Sequence, residues 1–486
     1  MKRFRVVAAF VVVVVLLVLP AAASSWQENE DRGEIEQGRE ADQQIEALYG
    51  FYDDAELTAY VADIGNRMAA LSERPSLPWT FRVLDSPVIN AFALPGGFVY
   101  VTRGLVAYAG NEAELAGVIG HEIGHVTGKH SRGRRWGSIL ATIGIIAGAV
   151  LSDAVRDLVD LGVPQLVATL ALTKYSRGHE LDADRRGIRY AAQAGYNPYA
   201  IGGFFQTLQS LEEHHDRKKL PGWISTHPQI DDRIERSNRR AREVLAEFGL
   251  QDDQLLVGRR ALLEQVDAVV FGENPRQGYM DGVDFLHPDL GFRLAFPAGW
   301  SVENGRSAII VSEPADLAYM KLEIVSPKKG QDPYDYARSY VRELGAEVVD
   351  SERIEINGLE AVEVGFTLDV DGTEYAVLGN WISFDGRLYQ LLGVTTPRRW
   401  RTTSARMQRS MYSFRELEDE AVLETEPARV AVIELSQTMT LAGVVEAHPE
   451  VSVPPEIVAI LNHMSMNDLI VAGDAVKLVF GGPGRR

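Results

Sequence analysis

The stretch Gly120-His121-Glu122-Ile123-Gly124-His125-Val126-Thr127-Gly128 decides how the rest of the chain is read. An α-helix repeats every 3.6 residues, so two histidines four apart stand one above the other on the same face. Both imidazoles can therefore hold one Zn²⁺. Glu122 lies about 100° round the helix, where its carboxylate reaches a water activated by the metal but does not easily join the ligand pair. This is the H-E-x-x-H pattern of zinc peptidases, two ligands and a general base. The competing reading is a surface helix that happens to carry two histidines.

The flanking residues argue for the buried helix. Asn111 is placed to cap it, with Glu112 and Glu114 in the first turn to suit the helix dipole. Leu115, Ile119, Ile123 and Val126 form an apolar stripe that buries one side. His130 reads as a satisfied or exposed histidine rather than a ligand.

A catalytic zinc takes a third protein ligand and leaves one position to water. Ser176-Arg177-Gly178-His179-Glu180-Leu181-Asp182-Ala183-Asp184-Arg185-Arg186-Gly187 is rich in candidates. Glu180 and Asp184, four apart, face one way. One can ligate while the other accepts the free N–H of a ligating histidine. His179 and Asp182 point elsewhere if Glu180 points inward. On spacing alone, Glu180 and His179 compete.

His-Glu-Ile-Gly-His followed by Ser-Arg-x-x-Glu-x-x-Ala-Asp-x-x-Gly resembles metallopeptidase family 48, the family of the heat-shock protease HtpX and the CAAX prenyl protease, in its bacterial periplasmic branch. Asn90-Ala91-Phe92-Ala93-Leu94-Pro95-Gly96-Gly97 and Ser225-Thr226-His227-Pro228 with Arg233-Ile234 extend the resemblance, which covers roughly residues 30–250. It implies His121, His125 and Glu180 as ligands of one zinc, Glu122 as catalytic base and Asp184 as the residue behind the ligands. It also implies quality control of misfolded or misassembled envelope proteins as the role. His227 sits in a short loop whose backbone Pro228 restricts. It can approach the zinc and occupy the water position, holding the enzyme latent, or it can anchor the following helix.

At 486 residues the chain exceeds one hydrophobic core, and roughly two to four domains are expected. A net charge of −19 argues against nucleic acid as a partner, because phosphates would be repelled. Lys2, Arg3 and Arg5, the apolar run Val6 to Leu19 and Pro20-Ala21-Ala22-Ala23 read as a signal peptide over 1–23, too short for a comfortable membrane span. There is no cysteine, so no lipoprotein anchor, disulfide or thiolate site is open to the chain. Such an exported, cysteine-free chain fits the periplasm.

The expected architecture is α+β and multidomain. A mainly helical, zincin-like protease domain spans 24–256. Its early part holds one or two amphipathic helices carrying Ile35, Ile45, Leu48, Leu57, Tyr60, Val61, Ile64 and Met68. Trp79 to Leu84 and Ala91 to Thr102 read as strands, the latter a hairpin round Pro95-Gly96-Gly97. Pro95 suits a sheet edge, so Asn90, Ala91, Phe92 and Ala93 are candidates to hold an extended peptide substrate by main-chain hydrogen bonds. The apolar runs 138–151 and 161–172 read as helices flanking the cleft, with peripheral membrane contact through 138–172. Residues 257–282 read as a linker. Residues 283–418 read as an α+β interaction module, similar to the PsbP-like fold through Phe296-Pro297-x-Gly299-Trp300 and a helix over Trp400–Phe414. Residues 427–480 resemble a small βααβ LysM unit, a tether to peptidoglycan or envelope proteins or a plain structural cap. It departs from that family where Thr438-Met439 precede Thr440-Leu441.

The reading is a periplasmic zinc endopeptidase acting on protein and peptide substrates. The alternative is a latent protease that works mainly as a chaperone or scaffold in envelope protein assembly. A membrane-embedded protease is a weaker third.

Overall fold

The structure is a computed structural model that describes residues 31–47, 49–131, 175–214, 223, 227, 230–314, 318–370 and 372–483. The signal segment and both apolar runs lie outside the described residues. Among the described residues, no helix is long and apolar enough to cross a membrane. The α+β multidomain architecture expected from the sequence is what the molecule has.

A helix over 31–47 precedes Ala55–Ala69, whose N-terminus Asp54 caps by accepting from Leu57 N–H at 2.9 Å. Leu57, Val61, Ile64 and Met68 recur at helical spacing and are all buried in the first core. Strands β1 (Thr80–Leu84), β2 (Ala91–Leu94) and β3 (Phe98–Thr102) form a sheet ordered β1-β3-β2, with β1 parallel and β2 antiparallel to β3. The β2–β3 turn runs through Pro95, Gly96 and Gly97, the last two at φ +83° and +97°. A Cβ on Gly96 would stand 2.6 Å from Ile35 Cα, so only glycine lets this turn press on the 31–47 helix.

The helix Glu112–Thr127 runs through the middle of this core, and every one of its residues is buried. Asn111 caps it as expected, accepting from Glu114 N–H at 3.0 Å. It crosses Arg177–Gln193 at a contact made by small residues. A Cβ on Gly187 would lie 2.6 Å from His121 N, and one on Gly124 would lie 2.8 Å from Ala183 O. The two backbones touch because neither helix has a side chain there. That contact brings Glu180 under the two histidines.

The stretch 257–282, expected as a linker, is divided between its neighbours. Arg259–Val266 is a helix whose Leu262, Leu263 and Val266 join the first core. Ala268 N and Phe271 N bond Val430 O and Ala428 O, at 2.8 and 2.7 Å, tying this stretch to the chain's last module. Tyr279–Asp281 already belongs to the second module, as a strand paired with Asp284–His287. Gly272, Pro275 and Gly278 gave the stretch the composition of a connector, but the apolar spacing of Leu262, Leu263 and Val266 is that of a packed helix.

The second module centres on a seven-stranded antiparallel sheet, ordered Glu347–Ile356, Leu359–Val370, Thr373–Phe384, Arg387–Thr395, Ala318–Val325, Ala308–Ser312 and Ser301–Asn304. Helix Pro333–Glu343 covers one face through Ala337 and Val341, and Pro397–Met411 covers the other through Met407 and Met411. In the last module Arg429–Glu434 and Ala475–Phe480 pair antiparallel, with helices Leu441–Ala447 and Pro455–Asn462 between them. Asn462 bridges helix to strand, donating to Lys477 O and accepting from Lys477 N–H, both at 2.8 Å.

Candidate metal centre

His121, His125, Glu180 and His227 each offer one ligand atom, and these atoms lie within 4.8 Å of one another. The two histidines of the opening motif meet as the helical period requires, their Nε2 atoms 3.0 Å apart. Glu180 enters from the first turn of Arg177–Gln193, its carboxylate 3.7 Å from His121 Nε2 and 3.5 Å from His125 Nε2. His179, its competitor on spacing, turns away and stacks on His130 with ring centroids 4.6 Å apart. Asp184, one turn on from Glu180, accepts from His121 Nδ1 at 2.8 Å.

His227 arrives from another part of the chain altogether. Its Nδ1 lies 2.9 Å from Glu180 and 3.3 Å from His121 Nε2, and its Nε2 is 3.6 Å from Glu122. It is 1% exposed. Trp223, four residues earlier, stacks on its ring at 4.7 Å and accepts its backbone N–H at 2.8 Å. Trp223 N in turn bonds Ile89 O, two residues before β2. Arg233 lies over Trp223 and Phe205, and its guanidinium reaches Asp184 at 3.0 Å through Nε and Glu180 at 3.2 Å through Nη1.

The electrostatics test whether this cluster fits a cation. Glu122, Glu180 and Asp184 oppose the single guanidinium of Arg233, and all four are buried. With neutral imidazoles, two negative charges are left uncompensated, which is the deficit a divalent cation removes. Burial first, then the Glu180 carboxylate, pushes the Glu122 carboxyl well above its usual range. Burial also opposes ionisation of Glu180, but the imidazoles of His227, His125 and His121 hold its carboxyl below the usual range. Burial pushes His125 well down, and His227 down to about 4, so both are neutral donors. Nitrogen and carboxylate donors in this number suit zinc.

Asn90, Ala91, Phe92 and Ala93 lie on or beside β2, which pairs only with β3 among the described residues. Ala91 and Ala93 are buried and Phe92 stacks on Tyr100. Three residues of the site were not picked out by role from the sequence: Trp223, Arg233 and His130. The four-residue spacing of Trp223 and His227 is a helical-turn signal that pairs their rings. Arg233 carries no such signal, because its carboxylate partners Asp184 and Glu180 lie 49 and more residues away.

Residues 55–241 match the model of Peptidase family M48. Over 200 residues the chain is 33% identical to the beta-barrel assembly-enhancing protease of Yersinia pestis, covering 39% of this chain and 40% of that protein. It is 36% identical over 167 residues to the mitochondrial metalloendopeptidase OMA1 of Bos taurus, covering 33% and 32%. The chain therefore spans well under half the length of the curated relatives it matches. The solution structure of cyanobacterial PsbP from Synechocystis aligns with 29% of this chain and 98% of its own, at 16% identity and a TM-score of 0.25.

Proposed function

We propose that this chain, which carries a peptidase M48 domain, is a periplasmic zinc endopeptidase of envelope proteins that His227 holds latent. The observation that carries the reading is the buried charge deficit around His121, His125 and Glu180, with Glu122 beside it. Zinc, when bound, supplies Lewis acidity to a water and to the scissile carbonyl. Glu122 then acts as base, taking the proton of the attacking water and passing it to the leaving amine. Asp184 keeps the His121 ring oriented through Nδ1, and Arg233 keeps Asp184 in place.

His227 adds a fourth protein donor, and four protein donors close a zinc site where catalysis needs one position open. Glu122 and His121 are 0% exposed in this arrangement. A substrate reaches them only when His227 leaves the cluster, and the free edge of β2 then presents Asn90–Ala93 to an extended peptide. The protease fold is of the zincin kind on this reading. The last module is a LysM-like unit, and the second an interaction module.

Casein cleavage and zinc content decide the matter. Glu122→Gln keeps the zinc and loses about 10²–10⁴ in rate. His227→Ala keeps the zinc and raises basal cleavage about tenfold, as about 1.4 kcal/mol taken from the closed state would do. Unchanged or lower cleavage by the zinc-loaded His227 variant sinks latency, and equal cleavage by wild type and Glu122→Gln sinks the base. The closed site also favours a second reading, a scaffold whose peptidase is rarely open. In that case Glu122→Gln complements a deletion strain in the cell, and a chain lacking 283–480 does not.

A further inference from the structure

The two helix-borne histidines of the metal centre are held from behind in different ways, and the difference assigns a role to His130. His121 turns Nε2 to the cluster and gives Nδ1 directly to a carboxylate, Asp184. His125 also turns Nε2 inward, but its Nδ1 lies 3.0 Å from Nδ1 of another imidazole, His130. The far nitrogen of that ring, Nε2, lies 3.2 Å from Asp182 Oδ2. Asp182 is held in turn by Arg185 and by Arg186 Nε at 2.6 Å.

Only one arrangement of protons satisfies this chain. A ligating Nε2 on His125 needs a lone pair there, so His125 carries its hydrogen on Nδ1 and donates it to His130 Nδ1. His130 then carries its own hydrogen on Nε2 and donates it to a carboxylate that can only accept. His130 is 5% exposed, so the bonds of this chain are its partners in place of water. The backbone supports the placement, since His130 N bonds His125 O at 3.0 Å and folds the residue back beneath the ligand. Lys129 sits at φ +51° to make that reversal.

We infer that His130 and Asp182 are positioning residues for the metal, a relayed carboxylate that fixes the tautomer and ring plane of His125 as Asp184 does directly for His121. His130 is not itself a ligand: its nearer nitrogen meets the back of the His125 ring, on the side away from the cluster. This rests on the reading that His121, His125 and Glu180 hold zinc, but not on proteolysis.

The test is zinc affinity of the full chain, measured by competition with a chromophoric chelator, beside the melting temperature of the zinc-stripped protein. A partner behind a ligating histidine is typically worth 10–100-fold in metal affinity. His130→Ala should weaken zinc by about that factor, and Asp182→Asn by about the lower end of it. His130→Gln, which keeps both an acceptor and a donor, should recover most of the loss. His179→Ala removes a ring stacked on His130 but no link of the relay, and should leave affinity within about twofold. Unchanged affinity in His130→Ala overturns the inference, and so does a loss that His130→Gln does not recover while the stripped protein melts lower. A wild type that binds no zinc overturns the metal reading itself; one that binds zinc without cutting casein overturns only the protease.

Discussion

The helix Glu112–Thr127 carries buried charge at two places, and the two are built on opposite principles. Near its N-terminus Glu112 meets Arg67 at 3.0 Å and two tyrosine hydroxyls, Tyr196 at 2.7 Å and Tyr60 at 3.1 Å. Glu114 accepts from Gly110 N–H at 2.9 Å and is countered by Lys477 and Arg259. Lys477, 0% exposed, donates to Ala107 O and Ala109 O at 2.7 and 2.8 Å, and His463 meets Tyr108 O at 2.9 Å. Glu112 there has a cationic counterpart in Arg67, and the cluster locks the last module onto the N-terminus of this helix. Two turns further on, three carboxylates share one guanidinium. Compensated charge makes an interface, and uncompensated charge makes a site for a cation.

The largest effect that separates them is metal removal. With free zinc at a thousand times its Kd, binding stabilises the fold by about 4 kcal/mol. Chelation should therefore lower the melting temperature of wild type and leave that of His121→Ala, which has no metal to lose, unmoved. Equal sensitivity in both would break the contrast.

Next is Lys477→Met, which leaves two buried carbonyls without their donor and should cost about 3 kcal/mol, seen as a lower urea midpoint with the metal centre's zinc content intact. The pH dependence has a definite sign. Burial lowers Lys477 from 10.5 to about 7, so between those values the unfolded chain holds a proton that the folded chain has released. Stability must then rise with pH above about 7, and urea midpoints taken from pH 7 to 9.5 should rise less in the variant. The smallest is Gly187→Ala. Its Cβ would lie 2.6 Å from His121 N, so overpacking of about 2 kcal/mol and weaker zinc binding should come together. An affinity unchanged in that variant would mean the helix crossing does not set the ligand geometry.

Much of the site was legible because it is local. His121, Glu122 and His125 are related by helical period alone, as are Glu180 and Asp184, and a 3.6-residue repeat needs no partner to place them. The Asn111 cap and the Pro95-Gly96-Gly97 turn were legible for the same reason, each being chemistry within a few residues. What stayed hidden is non-local. His130 read as an ordinary histidine because Asp182 lies 52 residues away, and Ala268 and Phe271 of the supposed linker found their partners only in Val430 and Ala428, far along the chain.

By itself, the sequence determined which atoms could ligate and which face of each helix carries them, since backbone periodicity is a property of the chain. The tertiary structure decided that Glu180 rather than His179 faces inward, that His227 joins the cluster and that three buried carboxylates meet one guanidinium there. Those outcomes depend on how closely two helices approach, and the absence of side chains at Gly124 and Gly187 determines that distance only once the helices are packed.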